Sequence, residues 1–156
     1  MSFLTLAQDH TGGDKKMPDV KVQDINGKVI STGNLGVKGP MIVNFWATWC
    51  SPCKRELNTI HEMYADWVAE TGVTLVAVSI DDEKTKMSVA PYVDSKGWEY
   101  LILLDPNGDL KRAMGVGNPP QTFLIDENGN IVYSHTGYAP GDEEKLYEEL
   151  LKLVKK

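Results

Sequence analysis

Cysteine is almost absent from this chain: 156 residues hold two thiols, Cys50 and Cys53. That scarcity excludes a disulfide-stapled scaffold, because staples join distant segments and these two lie three residues apart. It also excludes an all-cysteine zinc centre, which needs four ligands. Long apolar runs are missing too. No stretch approaches the roughly 20 residues that cross a bilayer, so no membrane span is expected. Excess positive charge is lacking: 16 basic residues face 22 acidic ones, a net charge of -6. A general affinity for nucleic acid or for an anionic membrane surface is therefore not expected. No internal repeat, low-complexity tract or linker divides the chain.

The remaining composition is that of one ordinary globular domain, with 42% hydrophobic and 24% charged residues. A chain of this size buries roughly 68–70% of the surface that its unfolded form exposes, enough to fold without staples. The start, M-S-F-L-T-L-A-Q, lacks a basic n-region and a full h-region, so it is not a whole signal peptide. Residues 1–16 read as a flexible leader, and 17–156 as the domain.

From Met17 the chain alternates elements. V-K-V-Q-D-I-N-G-K-V-I-S predicts a hairpin over 20–31, turning at Asn26-Gly27 in type I′ geometry. M-I-V-N-F-W-A (41–47) is nearly continuous in apolar residues, as a strand buried on both faces should be. Leu57, Ile60, Tyr64 and Trp67 recur at helical spacing, predicting one helix from Cys50 to about Glu70 that Gly72 ends. Strands follow at 73–80 and 100–104. Between them lies a helix over 83–96, capped by Asp81-Asp82-Glu83 and closed by Gly97, with Pro91 as a kink or stop. A short helix at 109–114, strands at 121–126 and 131–135 around E-N-G-N, and a final helix capped by Asp142 and ending near Val154 complete the order. This succession implies an α/β sheet with helices on both faces.

Cys50 and Cys53 sit where a buried strand meets a helix. The first turn of a helix has free N–H groups and a partial positive charge. Thiol pKa values in such places fall to roughly 3.5–7.5 from about 8.5. Cys50 is the expected exposed nucleophile, and Cys53, one turn on, the buried resolving thiol. Glu56 follows Cys53 by three residues and shares its helix face. It is either a surface glutamate favoured by the dipole or a partly buried base for the proton of Cys53. Asn44, inside an apolar strand, must find hydrogen-bond partners. Trp46 and Trp49 flank the pair as core or rim packing. His10 lies in the leader and His61 three helical turns from Cys50. His135 leaves open a Cys50–Cys53–His135 copper site.

I-V-N-F-W-A-T-W-C-S-P-C-K-R-E resembles the active-site segment of thioredoxin-fold oxidoreductases, nearest the TlpA/ResA-like branch. M-P-D-V…D-I-N-G-K resembles that branch's N-terminal hairpin. S-I-D-D-E…G-W-E-Y-L-I-L-L-D-P-N-G-D resembles its central helix–strand insertion. N-P-P-Q-T-F-L-I-D-E-N-G-N-I resembles its cis-proline loop and closing hairpin. The resemblance spans about 17–154. It implies a three-layer α/β/α thioredoxin fold with a mixed central sheet, and thiol–disulfide exchange without a cofactor or metal. Cys50 would be the nucleophile, Cys53 the resolving cysteine and Pro120 the cis-proline beside them. Glu56 matches a glutamate near the site in ResA-like proteins, and Asn44 the place of thioredoxin's buried aspartate. That pairing favours Glu56 as proton acceptor. Trp49, Pro119 and Pro120 are the implied substrate-contact residues. One departure stands out: the residue before the cis-proline pairs its backbone with bound substrate, and Pro119 has no N–H to offer.

The expected partners are protein disulfides and an upstream thiol donor. The expected direction is reduction, by a monomer outside the cytoplasm; a cytoplasmic site is the alternative. A thiol peroxidase of the same superfamily would need a threonine or serine three residues before its cysteine, where this chain has Ala47. The third reading is a non-catalytic copper-binding module.

Overall fold

The structure, a computed structural model, describes residues 15–155. Most of the expected leader, residues 1–14, lies outside the described residues. Its last two residues form strand β1 (Lys15–Lys16) and pair with a neighbour. Strands β2 (Lys21–Asp24), β3 (Val29–Ser31), β4 (Met41–Trp46), β5 (Thr74–Ser79), β6 (Leu101–Leu104), β7 (Gln121–Ile125) and β8 (Asn130–Thr136) complete one mixed sheet. Its order is β1-β8-β7-β4-β5-β6-β2-β3. β4 and β6 each run parallel to β5, and the other pairs are antiparallel.

Strand periodicity sorts the core into two faces. Ile42, Trp46, Ala77 and Leu124 face the side covered by α1 (Ser51–His61), α2 (Tyr64–Thr71), α3 (Val89–Lys96) and α5 (Asp142–Val154). Val43, Phe45, Val76, Val78 and Phe123 face the other side, where Leu110 of α4 (Asp109–Ala113) packs. β4 is therefore buried on both faces, as its unbroken apolar run requires.

Five expectations are corrected in detail. The single helix from Cys50 to Glu70 is two. The amides of Glu62 and Met63 bond back to Thr59 and Ile60 at 3.3 and 2.9 Å, tightening the chain into a turn between α1 and α2. The turn sets α2 so that the Tyr64 hydroxyl accepts the Leu75 N–H at 2.8 Å and Trp67 stacks on Tyr147. The helix expected from residue 83 begins at Val89; Asp82 instead accepts the Lys84 and Thr85 amides, and a 3₁₀ turn spans Lys86–Ser88. Pro91 thus falls in the first turn of α3, where its missing N–H leaves no bond broken.

The hairpin at Asn26-Gly27 is not type I′, since no non-glycine residue among those described has positive φ. The Gly27 N–H closes a turn on Asp24 O at 2.9 Å, and Gly27 alone is left-handed, at φ +88°. The Asp24 carboxylate accepts the Asn26 and Lys28 amides; Asp126 repeats the device with Asn128 and Asn130. Finally, Gly141 occupies the cap position of α5, and Asp142 is its first helical residue.

Candidate active site

β4 ends at Trp46, and the Cys50 N–H bonds to Ala47 O at 3.1 Å, folding W-A-T-W-C into a turn. Cys50 caps α1 in extended geometry and Pro52 stands in the first turn, where no N–H is needed. Cys50 and Cys53 form a disulfide with a Cα separation of 5.3 Å. Cys50 is 6% exposed, nearly buried rather than the exposed thiol expected, and Cys53 is fully buried.

One helical turn beyond Cys53, Glu56 is 2% exposed. The surface alternative for this residue is therefore set aside. What surrounds it follows from strand registers. Asn44 of β4 lies opposite Thr122 of β7, and Thr122 lies opposite His135 of β8. Alternation puts this row on the face that α1 and α5 cover. Asn44 Nδ2 donates to Glu56 Oε1 at 3.0 Å and to Thr122 Oγ1 at 2.9 Å, and Thr122 Oγ1 donates to Glu56 Oε2 at 3.4 Å. Asn44 Oδ1 is buried without a hydrogen-bond partner among the described residues. Burial pushes the Glu56 carboxyl up to about 7, against the opposing pull of the Asn44 and Thr122 hydrogen bonds and of His135. The carboxyl thus changes charge near neutrality.

A second buried carboxylate supports the approach to Cys50. Asp81, fully buried, accepts the Thr48 N–H at 2.9 Å, the Thr48 hydroxyl at 2.6 Å and the Ser79 hydroxyl at 2.6 Å. It ties the end of β5 to the turn that presents Trp49 and Cys50.

Trp46 is fully buried, packed against Trp98 with ring centres 5.0 Å apart, whereas Trp49 is 60% exposed. The Pro119–Pro120 peptide is cis. Pro119 and Trp49 line a common hollow beside α4. His61 lies edge-on to Tyr100. His135 Nε2 sits 3.1 Å from Asp142 Oδ2. Among the described residues no three histidine, cysteine, aspartate or glutamate side chains converge as a metal site, so the copper alternative has no ligand set here. Sequence reasoning missed Thr122 and Asp81. Register would have found Thr122, once Asn44 was known to need partners; Asp81 was hidden in an acidic run that read as a cap.

The AhpC/TSA family pattern matches residues 14–134. The thiol-disulfide oxidoreductase ResA of Halalkalibacterium halodurans is 34% identical over 134 residues, 86% of this chain and 72% of that protein. Among solved structures, a thioredoxin-like protein from Porphyromonas gingivalis superposes with a TM-score of 0.80 at 51% identity, covering 89% of this chain and 92% of that one. StoA from Bacillus subtilis superposes at 0.65 with 26% identity, covering 85% and 97%.

Proposed function

Since this chain belongs to the AhpC/TSA family, with a thioredoxin-like fold, and is a thiol–disulfide oxidoreductase, we propose that Cys50 is its nucleophile, Cys53 its resolving thiol and Glu56 the acceptor of the Cys53 proton. The observation that carries this reading is a disulfide at a helix N-terminus with a buried carboxyl one turn below it. In the reduced protein the helix end favours Cys50 as thiolate. The thiolate attacks one sulfur of a partner disulfide, and the other partner sulfur leaves as a thiolate. Cys53 then gives its proton to Glu56 and attacks Cys50 in the mixed disulfide, releasing the second partner sulfur. Two electrons pass to the partner, and the enzyme is left as the Cys50–Cys53 disulfide. The Glu56 carboxyl, poised near 7, suits this transfer at neutral pH.

Trp49 and the cis Pro119–Pro120 segment are read as the surface that meets substrate. The site works as a reductant, re-reduced by an upstream thiol donor, in a monomer outside the cytoplasm; the resemblance to the ResA-like branch supports this direction and place. No helix among the described residues is long and apolar enough to cross a membrane. Peroxidase chemistry is disfavoured by Ala47, which offers no hydroxyl three residues before Cys50.

The test is the midpoint potential of the cysteine couple in glutathione or dithiol buffers, read by tryptophan fluorescence. A two-electron transition below about −230 mV supports a reductant; one near −120 mV reverses the direction. No reversible couple at all would remove the reading.

A further inference from the structure

A hollow of about 320 Å³ opens beside the redox pair. One wall holds Trp49, the neighbour of Cys50, and Pro119, which leads into the cis peptide. The opposite wall is α4, which contributes Lys111 and Arg112. Among the described residues no aspartate or glutamate lines it, although the chain carries a net charge of -6. Arg112 is paired with Asp109 at 2.8 Å, while Lys111 has no carboxylate partner among the described residues. Lys111 is also firmly placed. Asp105, 2% exposed, accepts the Leu110 and Lys111 amides at 3.1 and 2.9 Å and so fixes the start of α4. A second hollow, of about 560 Å³, shares Arg112 and runs away from the redox pair toward Lys15 and Lys16 beside Ile131 and Asn130. An acidic protein thus places two cations, Lys111 and Arg112, on the flank beside its redox site.

We propose that this flank docks the protein partner, and that the partner carries an aspartate or glutamate beside the cysteine that Cys50 attacks. The inference rests on Cys50 being the nucleophile. The partner's carboxylate seats against Lys111, and its chain lies over the exposed indole of Trp49. Asn107 and Asn118, also in the lining, supply side-chain amide donors where Pro119 supplies no N–H. Lys111 acts in contact with water, so it tunes selection rather than creating binding. Attraction of this kind raises association rates and fades with salt.

The experiment uses the reduced full chain and two disulfide-looped peptides that differ only in Asp or Asn next to one cysteine. The Asp peptide is expected to show about two- to fivefold higher kcat/KM at low salt, the size of one exposed charge pair. The gap should close at high salt. Lys111→Glu should invert the order and Lys111→Gln should erase it. Lys28→Glu, on the β2–β3 hairpin and outside both hollows, changes net charge equally and should leave the order intact. Equal rates for the two peptides in the wild type, or inversion by Lys28→Glu, overturns the docking surface. If the wild type reduces neither peptide, and no faster than Cys50→Ser, the oxidoreductase reading itself falls.

Discussion

Two buried carboxylates serve the segment around the cysteine pair, Glu56 one turn beyond Cys53 and Asp81 through Thr48, and they are wired differently. Asp81 takes three donors at 2.6–2.9 Å, two from Thr48 and one from Ser79. Glu56 takes two, of which the Thr122 hydroxyl stands off at 3.4 Å. The Asp81 donors come from the end of β5 and from the turn before Cys50, so the group acts as a brace between segments. The Glu56 donors come from β4 and β7, so its bonds join α1 to the sheet, one of them at a long 3.4 Å. What Glu56 retains is a proton equilibrium near neutrality. Burial alone does not assign a role to an acid; the number and origin of its donors do.

Removing the brace gives the largest effect. Asp81→Ala strands the Thr48 hydroxyl and N–H and the Ser79 hydroxyl, each costing about 1–3 kcal/mol if left unpaired. A stability loss of about 4 kcal/mol is expected in urea unfolding of the oxidised protein, together with a shifted midpoint potential as the turn before Cys50 loosens. A loss below about 1 kcal/mol would show that the brace is not needed.

Glu56→Gln works the other way. The folded carboxyl titrates at about 7 and the unfolded one at 4.5. The folded state therefore holds more protons between those values, and the stability this group contributes is full below 4.5 and is lost as pH rises through 7. The fall amounts to about 3 kcal/mol. Asp19, Asp126 and Glu149, whose carboxyls are held low by hydrogen bonds, act oppositely at acid pH. The difference between variant and wild type cancels them. Glu56→Gln should gain on the wild type by about 3 kcal/mol between pH 4.5 and 8, while resolution of a mixed disulfide slows and loses its inflection near 7. A constant difference across that range would place Glu56 in water.

The same contrast marks what the sequence disclosed. The strand–helix order, the cysteine pair at a helix start and the need of Asn44 for partners were all legible, because each follows from periodicity or from the chemistry of one residue. Through the resemblance, Asn44 standing where thioredoxin has its buried aspartate also pointed to Glu56, twelve residues on. Thr122 and Asp81 were not legible, because their roles depend on which strands lie side by side. The break between α1 and α2 was invisible for a related reason: Leu57, Ile60, Tyr64 and Trp67 keep helical spacing straight through it. The geometry of the first hairpin turn was misjudged for a local reason. Asp24 and Asp126 bond their own loop amides, which favours the three-residue loop over the two-residue one.

The finest test removes one hydroxyl from each carboxylate. Thr48→Val deletes the 2.6 Å bond to Asp81 but keeps the 2.9 Å N–H bond, so a stability loss of about 1 kcal/mol is expected at any pH. Thr122→Val deletes a hydrogen bond that pulls the Glu56 carboxyl down. Its effect should be a displacement: the pH at which stability falls moves above 7, because the ionised form has lost a donor. Thr122 also accepts from Asn44, so part of the change is an unpaired amide that does not vary with pH. The two variants are separated by pH dependence, not by magnitude. If Thr48→Val moved the midpoint of the fall, or Thr122→Val left it in place, the division into a brace and a proton acceptor would fail.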